Sequence, residues 1–80
     1  KENKVSLPVV IVDDGKYNEQ NLSLTKTGRP YFEQILRDQK VRSVRNVFVL
    51  TVDGTGKIYM QCRGEHYRSF RVQLPEESAW

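Results

Sequence analysis

The sequence predicts a single α+β domain: a small sheet of an N-terminal strand plus a β-hairpin, packed by one main amphipathic helix and a short helical turn. Three observations predict it. Four consecutive β-branched residues run from Val9 to Val12, a combination that is crowded in a helix and suits a pleated strand. Tyr31, Phe32, Ile35 and Leu36 recur at helical spacing along one side of a segment that Pro30 is suited to open. The strand-like runs 47–52 and 57–62 are joined by Asp53-Gly54-Thr55-Gly56, whose glycines suit a tight reversal.

In chain order, residues 1–7 read as a polar lead-in, 8–74 as the domain and 75–80 as a flexible tail. Both faces of Val9 to Val12 are apolar, which predicts a strand that is central or covered on both sides. Asp13-Asp14-Gly15 ends it in a turn, and Lys16 and Tyr17 begin a short return strand. Asn18 is placed to cap one helical turn holding Leu22. The main helix then runs from Gly28-Arg29-Pro30 to near Gln39, with Glu33 and Arg37 paired across one turn of its wet face. Val41, Val44 and Val47 drop into the core from the linker, and Ile58, Met60 and Cys62 share one face of the return strand. Residues 67–74 alternate weakly and predict a last edge strand. The predicted core is Val10, Val12, Phe32, Ile35, Leu36, Val47, Val49, Ile58 and Met60.

A chain of 80 residues, 38% hydrophobic and 29% charged, holds one domain with a thin core, and a deep enclosed catalytic cavity is not expected. One cysteine, Cys62, forms no internal disulfide, and with one histidine, His66, it completes no zinc site of the usual kind. No run approaches the roughly 20 apolar residues that span a bilayer. The chain begins with Lys1 and its one methionine is Met60, so the expectation is a piece excised from a longer protein. The formal charge of +3 is unevenly placed: residues 1–36 balance, whereas 37–71 hold eight basic side chains against three acidic ones. Arg42, Arg45, Arg63, Arg68 and Arg71 form the candidate basic contact surface, open to an anionic partner.

The residues that carry chemistry elsewhere have simpler roles here. Cys62 falls on the inward phase of its strand, where a thiol acts as a small hydrophobe, and His66 lies in a polar bend. Asp13, Asp14 and Asp53 stand at Gly-containing turns, whose geometry accounts for them without a cation. Gly54-Thr55-Gly56-Lys57 opens a strand, whereas a phosphate loop opens a helix. No catalytic, metal or cofactor-binding residue is predicted, and no cofactor. Tyr67 and Phe70 interleaved with Arg63, Arg68 and Arg71 suit a clamp on single-stranded nucleic acid, the alternative function.

Leu7-Pro8-Val9-Val10-Ile11-Val12-Asp13-Asp14-Gly15-Lys16, Asn21-Leu22, Ile35-Leu36-Arg37 and the run from Val44 through Val47 to Gly54 occur in an order and spacing that resemble the soluble domain of the YetF-like family of bacterial membrane proteins. The resemblance covers residues 7 to about 62. It implies a domain of uncharacterised function on the cytoplasmic face of the bacterial cell membrane, with the transmembrane helices lying outside this sequence. It brings no catalytic residues. The function expected is therefore non-catalytic protein–protein contact or self-association, with a small basic nucleic-acid-binding module as the alternative.

Overall fold

The β-branched run folds into strand β1, Val9–Asp13, in a computed structural model that describes residues 7–78 and 80. Residues 1–6 of the expected lead-in lie outside the described residues. Asp14 at φ 53 and Gly15 at φ 81 make a two-residue reversal that matches the strand twist, and Asp13 pairs with Lys16 at the start of β2, Lys16–Tyr17. The Asn18 side chain accepts the Asn21 N–H at 3.0 Å and starts helix α1, Glu19–Leu24. Helix α2, Arg29–Asp38, has Pro30 in its first turn and buries Phe32, Ile35 and Leu36. It ends with Lys40 in the left-handed region at φ 66, so that the Lys40 N–H reaches the Arg37 carbonyl at 3.0 Å and the Val41 N–H reaches that of Leu36 at 2.8 Å. A 3-10 turn over Val44–Asn46, capped by Ser43, leads into β3, Val47–Val52. Strand β4, Lys57–Cys62, returns, and β5, Arg68–Arg71, completes the sheet.

Among the described residues the sheet is five-stranded in the order β2-β1-β3-β4-β5, antiparallel throughout. The α+β class, the hairpin, the main helix and the short capped helix are as the sequence predicts. Val52, Leu50, Ile58, Met60 and Phe70 face the helices, and Phe32, Ile35 and Leu36 of α2 join Leu22 of α1 over them in one core.

Two details correct the sequence reading. Ile11 and Leu50 are fully buried in place of Val10 and Val49, which are half-buried. The cause is a pair of bulges: β1 gains an extra residue against β3 between Val10 and Val12, and β3 gains one against β4 between Val47 and Val49. Each bulge advances the alternation by one residue, so Ile11 and Val12 both turn inward while Phe48 and Val49 both turn outward. The Glu33–Arg37 pair is also absent from the ion pairs among the described residues. Glu33 instead accepts from the Tyr17 hydroxyl at 3.0 Å, and Arg37 donates to Gln34 at 2.9 Å.

Residues 72–78 carry no strand or helix. The Tyr31 hydroxyl donates to the Gln73 carbonyl at 2.6 Å and the Trp80 indole to that of Leu7 at 3.0 Å, which lays this segment back along the core.

Candidate functional site

The period of two in a strand decides where Arg68 and Arg71 of β5 go, and the segments outside the sheet place Arg42, Arg45 and Arg63. Arg68 pairs with Met60 and so faces the helix side, where it reaches the C-terminal end of α2: one guanidinium nitrogen donates to the Gln39 carbonyl at 2.9 Å, another to the Glu65 carboxylate at 3.1 Å. Arg63, one residue past β4, donates to the Arg45 carbonyl at 3.0 Å and to Asp14 at 2.7 Å. With Lys40 and Arg42 they border a cleft of about 300 Å³ over Cys62, Asn46 and Glu65. Arg45 turns instead to a neighbouring hollow with Gly15, Tyr17, Glu19 and Arg29. Arg71, opposite Lys57, is on the other face and donates to the Thr55 hydroxyl at 2.9 Å. Three of the five converge, and the other two stand apart.

The face of the sheet away from the helices is the second candidate surface. Cross-strand pairing places Val10, Thr51, Tyr59 and Ser69 in one row across it, flanked by Asp13, Val49 and Gln61 on one side and Lys57 and Arg71 on the other. Tyr59 and Tyr67 are 43% and 65% exposed, with ring centroids 6.0 Å apart, and together with Val49, Thr51 and Gln61 they border a shallow depression of about 270 Å³. The Lys57 ammonium lies 5.2 Å from the Tyr59 ring centroid. Phe70, which the sequence reading grouped with Tyr67, faces the core instead.

Among the described residues, β5 is the open edge at this surface. Val72 N–H donates to the Gly56 carbonyl at 2.8 Å, so by antiparallel alternation Phe70 and Arg68 bond inward to β4, and the backbone groups of Ser69 and Arg71 point outward. The opposite edge is closed. Beyond β2, the Ile11 carbonyl accepts the Asn18 N–H at 2.8 Å and the Val10 carbonyl accepts the Asn21 side-chain amide at 2.8 Å.

Among the described residues no group of three or more His, Cys, Asp or Glu side chains is placed to hold a metal. Cys62 is buried, and desolvation pushes its thiol above the ordinary range, with Arg68 pulling the other way and Glu65 adding to the rise. A buried, up-shifted thiol is a poor nucleophile. His66 is exposed in the bend before β5. Burial pushes Asp53 up, but hydrogen bonds from the Thr55 hydroxyl and from the Lys57 and Thr55 amides outweigh it and hold the carboxyl below its usual value. Asp53 thus works as the clasp of the β3–β4 loop.

Sequence reasoning missed Lys40 and Tyr59. The outward phase of Tyr59 between Ile58 and Met60 was available to it, whereas Lys40 joins the cleft only because the chain turns left-handed there. No family model matches the chain, and no curated protein matches it.

Proposed function

We propose that this chain is a non-catalytic contact domain of a membrane-anchored bacterial protein, held at the cytoplasmic face of the membrane, and that it self-associates through the open face and free edge of its sheet. One observation carries the reading: β5 presents outward backbone groups at Ser69 and Arg71 beside the exposed Tyr59–Tyr67 pair, while the other edge is plugged. A second copy is the occupant that fits, because two β5 strands pair antiparallel about a two-fold axis and extend the sheet. The YetF-like resemblance supports the membrane setting.

The nucleic-acid alternative has an observation of its own, the Lys57 ammonium over Tyr59 with Arg71 nearby. A stacking groove needs rings and cations along one surface. Here Lys40, Arg42, Arg63 and Arg68 gather at the cleft over Cys62, and the exposed tyrosines lie on the other face. That separation favours protein contact.

The test is sedimentation of the chain across a concentration series, alongside crosslinking of the membrane-tethered protein. The expected result is a weak dimer in solution, strengthened by tethering and lost in Ser69→Pro, which removes an outward N–H from the edge. A strict monomer in both settings overturns the proposal, and tight, salt-sensitive oligonucleotide binding lost in Tyr67→Ala puts the alternative in its place.

A further inference from the structure

We infer that the cleft bordered by Lys40, Arg42, Arg63 and Arg68 is a binding site for a phosphomonoester group. The site lies at the end of the core where α2 finishes and β4 runs out, and it does not rest on the self-association reading. Its lining holds four cations and one carboxylate, Glu65. Asp14, outside the lining, offsets part of Arg63, and the C-terminal end of α2 adds about half a negative charge. The cations still prevail.

The donors left over fit an oxyanion. Arg63 uses Nε and Nη2 on the Arg45 carbonyl and Asp14, which leaves its Nη1 hydrogens without a protein acceptor among the described residues. Arg68 uses Nη1 on Gln39 and Nη2 on Glu65, which leaves Nε. These bonds fix both guanidinium planes without exhausting them, the condition for a pre-organised anion site. Lys40 and Arg42 belong to no ion pair among the described residues. A lone carboxylate is satisfied by one arginine fork, whereas several convergent cations match the three oxygens and near-double charge of a phosphomonoester. The cleft, about 300 Å³, holds such a group with a small attached fragment.

Lys40 supplies a second line of argument. It occupies the left-handed position after α2, where glycine is the favoured residue and a side chain is strained. Lys40→Gly therefore removes a cleft cation while relieving strain, so reduced binding in that variant does not come from a damaged fold.

The experiment is an NMR titration of the chain that follows arginine side-chain N–H and backbone amide signals. Its soluble arms use inorganic phosphate and glycerol phosphate, and its lipid arms use phosphatidic acid in phosphatidylcholine vesicles and phosphatidylcholine alone. Saturable changes at Arg42, Arg63 and Arg68 are expected with inorganic phosphate, glycerol phosphate or phosphatidic acid and not with phosphatidylcholine alone, whose phosphate is a diester, and the arm that gives them identifies a soluble ester or a lipid headgroup as the source. Arg42→Gln is expected to weaken the response about tenfold and Lys40→Gly to weaken it at undiminished thermal stability. Arg71→Gln, on the other face, leaves it unchanged. No saturable change with inorganic phosphate, glycerol phosphate or phosphatidic acid, an equal response to phosphatidylcholine alone, or equal weakening by Arg71→Gln and Arg42→Gln, overturns the inference.

Discussion

Gly56→Ala probes the junction that holds the β5 edge in place, and its cost can be worked from two glycines of the same chain. Gly56 closes the β3–β4 loop at φ 89, and a Cβ there stands 2.2 Å from the Val72 carbonyl oxygen, so one backbone segment must move. Gly64 is likewise left-handed at φ 75, but its added Cβ meets nothing within 4 Å. Gly64→Ala thus measures backbone strain alone, about 1–2 kcal/mol. Gly56→Ala carries the same strain and also displaces Val72, putting at risk its 2.8 Å hydrogen bond to the Gly56 carbonyl, worth about 1 kcal/mol. The total is about 2–3 kcal/mol, a fall in thermal midpoint of roughly 8–24 °C for a domain of this size. Urea and thermal denaturation of both variants give the comparison, and amide exchange at Arg68 to Arg71 shows whether β5 loosens first. If Gly56→Ala is no more destabilising than Gly64→Ala, the contact between the loop and Val72 does not support β5 and the reasoning fails.

Leu36→Ala, at a side chain 2% exposed on the inner face of α2, is expected to cost about 2–5 kcal/mol, and an unchanged urea midpoint would refute the packing of that helix on the sheet. Asp53→Asn tests the loop clasp by pH. The folded-state carboxyl is held below its unfolded value, so its stabilisation is present above about pH 4 and is lost as pH falls through the folded value; the stability gap between parent and variant should close on acidification, and a gap constant from pH 7 to pH 2 would show that the charge has no role. Ser69→Pro should abolish the dimer in sedimentation while leaving the unfolding free energy within about 1 kcal/mol of the parent, and a dimer that survives it excludes β5 as the contact edge.

Where local chemistry determines structure, the sequence is readable. Asp14-Gly15 reverses the chain in two residues, Asn18 caps α1 and Pro30 opens α2, each for reasons internal to a few neighbouring residues. The register of the sheet is not local. Nothing in the apolar run Val9 to Val12, or in Val47-Phe48-Val49-Leu50, marks which residue is the extra one, since every candidate is β-branched, aromatic or leucine and fits either face. The bulges are set by cross-strand partners, and a one-residue slip was enough to exchange Val10 for Ile11 and Val49 for Leu50. The candidate site shows the same limit. Arg68 and Arg71 look like members of one basic strip along the chain, yet a spacing of three in a strand sends them to opposite faces. Tyr67 and Phe70 part in the same way. Lys40 and Arg42, remote in sequence from Arg63 and Arg68, meet them because the left-handed turn after α2 brings the linker over the end of β4.

The two edges of the sheet are treated unequally, and that inequality bears on the strength of any contact. On the β1 side a covering element and two hydrogen bonds close the edge, the usual protection against unwanted pairing. On the β5 side the protection is partial. Arg71 is drawn back onto Thr55 and Arg68 onto Gln39 and Glu65, so neither guanidinium bars the outward backbone of Ser69. Two β5 strands paired antiparallel with Ser69 of one opposite Arg71 of the other nonetheless put both Arg71 side chains on one face as diagonal neighbours, a like-charge approach that costs about a few tenths of a kcal/mol. The short strand, four residues long, offers few backbone hydrogen bonds to offset it. Such an edge pairs weakly between free copies, at the upper end of a concentration series, and becomes well populated when a membrane tether raises the effective concentration toward the millimolar range. An edge left open but weakly repulsive is thus suited to a contact that is weak between free copies and strong between anchored neighbours.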